Sequence, residues 1–166
     1  MLRIAISLLT LLSVTSVFAY KANPSIRSGN SNYEDEKYTD AEVEYRKGIQ
    51  ADKYSVESTY NLGNSLYKQE KYKEAAEEFE KATKLTDDKE KLSSIYHNLG
   101  NSYISLGGYG NALAIFLFLK ERNYKIHGEC HPETLSTLAN LALCYNRMEC
   151  HDEALELAEK VYQINC

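Results

Sequence analysis

The sequence predicts an all-α fold, a right-handed solenoid of about four helix-turn-helix hairpins, and three observations predict it. Small residues recur at Gly29, Gly63, Gly100 and Ala142, at steps of 34, 37 and 42 residues. Ala41, Ala75, Ala112 and Ala154 recur at the same three steps, each 12 residues after its partner in the first ladder. Two ladders with one fixed offset define a repeat, and repeats of this length stack into a solenoid because one unit cannot bury its apolar face alone. The third observation is composition: 2 Pro and 8 Gly in 166 residues leave little turn material for an all-β chain.

The chain opens with a segment of a different kind. Met1-Leu2-Arg3 is a short basic start, Ile4 to Phe18 is an apolar run broken only by Ser and Thr, and Val17-Phe18-Ala19 offers small residues for cleavage. Residues 1–19 read as a signal peptide, which makes the protein exported, periplasmic or secreted. An uncleaved signal anchor is the alternative, although the run is short for a membrane span. The formal net charge of −5 argues against a nucleic-acid backbone as the main partner.

The repeats then run over residues 22–55, 56–89, 90–131 and 132–166. The first helix of a hairpin carries its apolar residues around the small position, as in Leu62 and Leu66, Leu99 and Tyr103, or Leu141 and Tyr145. The second helix follows with Tyr72, Ala75, Phe79 and Ala82, then Tyr109, Ala112, Phe116 and Leu119. These three- and four-residue steps mark one face of an amphipathic helix. Gln69-Glu70-Lys71, Gly107-Gly108 and Glu149-Cys150-His151 are the short polar turns between the paired helices. The small residues are expected where the two helix axes approach most closely. Extra residues between Thr86 and Leu92 are expected to lengthen the first helix of the third repeat, with Asp87 and Glu90 as its cap. Pro132 is expected to open the first helix of the fourth.

The stretch YNLGNSLYKQEKYKEAAEEFEKA, Tyr60 to Ala82, resembles the consensus of the tetratricopeptide repeat (TPR) family, with Leu62, Gly63, Tyr72, Ala75, Phe79 and Ala82 in signature places. The first repeat departs from it at Gly48 and the fourth at Ala158. Residues 28–104 resemble the exported TPR proteins of the Bacteroides aerotolerance operon, and His127 to Tyr145 resembles the repeats of the kinesin light chain type. The resemblance implies a scaffold that binds a protein or peptide, with membrane-anchored envelope proteins as candidate partners, and neither catalysis nor a cofactor. It also implies a concave wall built from the first helix of each pair.

On that wall the residue after the small position is Asn30, Asn64 or Asn101, with Leu143 departing, and two places before it stand Asn61, Asn98 and Asn140. Each amide offers a donor and an acceptor to a ligand backbone, and Tyr33, Tyr60 and Tyr67 are the expected pocket walls. The alternative is that the asparagines knit neighbouring hairpins together. TPR domains that clamp a terminal carboxylate carry a basic residue where this chain has Ile26 and His97, so His97 belongs to the candidate wall but such a clamp is incomplete.

The remaining chemistry lies late in the chain. Cys130, Cys144, Cys150 and Cys166 allow three disulfide pairings in an exported protein, and nothing in the sequence selects one. Cys144 reads as a small buried hydrophobe. Cys130-His131 and Cys150-His151 have a spacing that fits no compact structural zinc site, and no grouping of residues suggests an enzyme. On the last signature helix the apolar residues Leu155, Val161 and Ile164 await a cover, expected to be self-association through this hairpin, a partner, or a detergent or membrane surface.

Overall fold

A computed structural model describes residues 23–164. The signal-peptide reading of residues 1–19 and Cys166 lie outside the described residues. Eight helices follow one another within them: α1 (Pro24–Glu34), α2 (Tyr38–Ala51), α3 (Val56–Lys68), α4 (Tyr72–Thr83), α5 (Lys89–Ser105), α6 (Tyr109–His127), α7 (Pro132–Arg147) and α8 (His151–Ile164). No strand occurs among the described residues, and no helix there is long and apolar enough to cross a membrane.

Two different devices start the helices, and they alternate. The first helix of every hairpin has a side-chain cap. Asn23 Oδ1 accepts the Ser25 N–H at 3.1 Å, Ser55 Oγ accepts that of Ser58 at 3.2 Å, and His131 Nδ1 accepts that of Glu133 at 3.3 Å. Pro24 and Pro132 stand at the start of their helices, where the missing N–H costs nothing. For α5 the cap is Asp88 rather than Asp87: its Oδ1 accepts from the Glu90 and Lys91 N–H groups at 3.0 and 3.1 Å. This is the reach an N-cap needs, to the second and third helical residues.

Inside each hairpin the turn is a left-handed C-cap. Glu36, Glu70, Gly107 and Glu149 hold positive φ of 60°, 60°, 75° and 63°. The residue after each donates back five positions: Lys37 to Asn32 O at 2.8 Å, Lys71 to Leu66 O at 3.0 Å, Gly108 to Tyr103 O at 2.8 Å, and Cys150 to Tyr145 O at 2.9 Å. These 6→1 bonds are the mark of the Schellman motif. Three of the four positions carry Glu where glycine would be relaxed, so the hairpin geometry overrides local preference.

Packing gives the small-residue ladder a specific partner on the second helix. A Cβ built on Gly29 would stand 2.6 Å from Tyr45 Cε1, on Gly63 2.6 Å from Phe79 Cε1, and on Gly100 2.6 Å from Phe116 Cζ. What the glycine admits is therefore an aromatic ring 16 residues later, held on the second helix. Those rings are at most 1% exposed. Each contributes roughly 2–3 kcal/mol by leaving water. In the fourth hairpin Ala142 replaces the glycine and Ala158 the ring, and Ala158 is exposed.

Two apolar clusters make up the core. One gathers Tyr45, Leu62, Leu66, Phe79 and Ile95 among others, and the second gathers Phe116, Leu119, Leu138 and Leu141. Tyr96, Tyr103 and Ile115 pack against both and join them. Consecutive helices are in contact throughout. The backbones of the first helices also approach across repeats, α1 with α3, α3 with α5 and α5 with α7, whereas those of the second helices stay further apart among the described residues. The row of first helices is thus the inner, narrower wall of the stack.

Candidate functional site

The six asparagines of the inner wall meet in pairs across repeat boundaries. Asn61 Nδ2 donates to Asn30 Oδ1 at 3.0 Å, Asn98 Nδ2 to Asn64 Oδ1 at 2.8 Å, and Asn140 Nδ2 to Asn101 Oδ1 at 3.1 Å. One geometry is repeated three times: the residue two places before a small position reaches the residue just after the previous one. All six are half-buried. The pairing follows from the contact of adjacent first helices, which brings these two register positions face to face.

Further bonds extend each pair. Tyr45 Oη donates to Asn30 Oδ1 at 2.7 Å, so both lone pairs of that oxygen are engaged. Asn98 donates a second bond to Tyr60 Oη at 2.9 Å. His97 lies between Asn101 (3.3 Å, at Nδ1) and Asn140 (3.4 Å, at Nε2), and its Nε2 is also 3.1 Å from Ser136 Oγ. Asn98 thus commits both amide hydrogens within the wall, whereas Asn140 commits one to Asn101 and its second only in the tautomer of His97 that leaves Nε2 unprotonated. Asn30 is the reverse case, its oxygen being the saturated group.

Burial sets the electrostatics of these groups. The imidazole of His97 is pushed below its ordinary 6.5 by desolvation, so it stays neutral near pH 7. Tyr33 and Tyr60 are raised above 10.0 by the same cause, and Tyr45 is pushed up to about 12. A neutral His97 with both ring nitrogens engaged is a poor clamp for a carboxylate.

Three cavities follow the wall, while a larger one of about 530 Å³ lies away from the asparagines, against Arg46, Ile49, Lys53, Glu78 and Leu85. Asn30, Tyr33, Tyr45, Asn61 and Asn64 line a cavity of about 150 Å³. Tyr33, Asn64, Tyr67, Phe79, Asn98 and Asn101 line a second of about 200 Å³. A third, of about 210 Å³, is bounded by Tyr60, Ser93, His97, Asn98 and Glu133. The tyrosines expected as pocket walls all face one of these three. The bonds among the asparagines answer to the alternative, in which these residues knit neighbouring hairpins together.

Two groups on the later repeats were not apparent from the sequence. Asn123 is 2% exposed, accepts from Ser93 Oγ at 2.9 Å and donates to Thr137 Oγ1 at 3.1 Å, joining α5, α6 and α7. His127, His131 and Glu133 gather so that one donor atom from each lies within 4.8 Å of the others. The sequence had associated His131 with the cysteines instead. Cys130, Cys144 and Cys150 are free, so no disulfide joins the described cysteines, and Cys144 is fully buried. At the C-terminal end, Leu155 is 59% and Tyr162 72% exposed, while Val161 and Ile164 are half-buried.

A family model described as tetratricopeptide repeat matches residues 54–117 and 91–166. No curated protein matches the sequence. Among solved structures, the chain is similar to the crystal structure of MamA at a TM-score of 0.72 and 20% identity, covering 91% of this chain and 84% of that one. It is similar to nearly identical TPR-like repeats of a Podosopora anserina kinesin light chain at 0.72 and 18%, covering 98% and 85%. It is also similar to BtubC from P. vanneervenii at 0.71 and 19%, covering 82% and 59%. At these identities the likeness is one of fold.

Proposed function

We propose, for a chain that belongs to the tetratricopeptide repeat family, that an extended peptide segment of another protein is held along the inner wall of first helices. TPR domains in general are protein–protein interaction scaffolds rather than enzymes, and the finer reading rests on the row of three cavities between α1 and α7. Their walls combine aromatic rings with half-used amides, the mixture that suits a backbone with alternating side chains. Amide bonds contribute roughly 1 kcal/mol each, against about −8 kcal/mol for micromolar affinity. Tyr33, Tyr60 and Tyr67 must then supply most of the binding.

The remaining parts of the reading rest on sequence. Residues 1–19 support export, and the likeness to aerotolerance proteins supports a membrane-anchored envelope partner. Affinity capture with the chain lacking residues 1–19, compared with a Tyr33→Ala, Tyr67→Ala variant, tests the wall. Equal capture by both would remove the wall from consideration.

The exposed Leu155 and Tyr162 favour a second reading, a self-assembling structural element without an external peptide ligand. Light scattering across a concentration series separates the two, because a monomer at every concentration excludes the second.

A further inference from the structure

We propose that His127, His131 and Glu133 form a binding site for one divalent transition-metal cation of the zinc type, at the junction of the third and fourth repeats. His127 is the last residue of α6, His131 caps α7 and Glu133 lies in its first turn. One donor atom from each lies within 4.8 Å of the other two. Tetrahedral ligation at 2.0–2.1 Å would bring such donors to about 3.4 Å from one another. Closure therefore asks for side-chain movement, including rotation of one imidazole, and not for a change of backbone.

The backbone there is already fixed. Gly128 makes the turn with φ +85°. Its carbonyl accepts from Thr134 Oγ1 at 2.7 Å, and the neighbouring Glu129 pairs with Lys160 of α8 at 2.8 Å. Buried Asn123 donates to the Glu133 carbonyl at 3.4 Å and anchors the start of α7. Ligands on a pinned turn lose little freedom on binding.

Donor chemistry supports an N/O-preferring cation. His127 Nε2 already stands 3.4 Å from Glu133 Oε2, an imidazole facing a carboxylate. The two imidazoles stack at 4.3 Å with planes 17° apart, so their in-plane lone pairs lie in separate layers. One ring has to turn, and a turn of His131 exchanges its 3.3 Å bond from the Glu133 N–H for the cation. The helix ends largely cancel for a cation: the C-terminal pole of α6 attracts it and the N-terminal pole of α7 repels it. Once bound, the cation ties α6 to α7 across the turn and stiffens the joint between the two hairpins. Cys130, exposed in the same turn, is outside the donor set.

The test is equilibrium dialysis of the full chain against zinc chloride after EDTA treatment, with thermal unfolding alongside and cobalt(II) absorption as a report on the ligands. The expected result is one zinc per chain and a melting temperature raised by roughly 5–10 °C at a hundredfold excess over Kd. His127→Ala and His131→Asn should each weaken binding at least tenfold, and Glu133→Gln less. His131→Asn keeps a capping oxygen on α7, so its loss of binding is not a loss of fold. Cys130→Ser should leave binding unchanged. Absence of stoichiometric zinc, retention of binding in the doubly substituted His127→Ala, His131→Asn chain, or loss of it in Cys130→Ser would overturn the proposal.

Discussion

Asn98 donates its side-chain amide to Asn64 Oδ1 at 2.8 Å across the boundary between the second and third repeats, and its other hydrogen to Tyr60 Oη at 2.9 Å. A residue on the proposed binding wall is thereby also a fastener of the stack. Asn98→Ala leaves two half-buried acceptors without their donor and should destabilise the fold by about 1–3 kcal/mol. The Asn64→Ala, Asn98→Ala chain should cost less than the sum of the singles, with a coupling of about 1 kcal/mol in a urea-denaturation cycle.

Gly63→Ala should destabilise by about 1–3 kcal/mol, because its methyl would enter the space of the Phe79 ring at 2.6 Å. Gly110→Ala is the contrasting case. Its added Cβ meets nothing within 4 Å in α6, so a gain of about 0.5–1 kcal/mol is expected from helix propensity. Thermal unfolding of the two variants in parallel gives the signs directly.

Glu70 holds φ 60° at the C-cap of α3. A left-handed conformation costs a side chain roughly 1–2 kcal/mol, against about 0.5–1 for the extra freedom of glycine. Glu70→Gly should therefore raise stability by about 0.5–1 kcal/mol, or roughly 1–4 °C in Tm. Glu36 and Glu149, with the same φ, should respond alike.

Burial lowers the folded-state pKa of His97 below 6.5. The unfolded chain then binds the proton first, so stability is kept above pH 6.5 and falls as the pH drops from there toward the lower folded value. Replacing His97 with Asn should flatten that part of the stability curve. A slope unchanged by the substitution would remove His97 as its source.

The hairpins were legible because their signals are periodic: Gly29, Gly63 and Gly100 and the paired alanines recur at fixed steps. What each glycine admits was not legible, since Phe79 lies on another helix and only packing brings its ring to Gly63. The Asp88 cap differs from the expected Asp87 by one residue, a choice made by where α5 first acquires helical dihedrals. The asparagine positions were visible, but their mutual bonds depend on the spacing of α1, α3, α5 and α7. His127 and Glu133 gave no signal, because a helix break separates them and a turn at Gly128 returns one toward the other. Asn123 lies in no ladder, so its burial between three helices had no sequence mark.

Asparagine substitutions test the wall poorly, because they also loosen the stack. The direct measurement is hydrogen–deuterium exchange of the chain alone and with its captured partner. The account predicts new protection on α1, α3, α5 and α7, centred near Tyr33, Tyr67 and His97, with α2, α4 and α6 unchanged. Protection confined to the second helices, or to α8 around Leu155 and Tyr162, would contradict it.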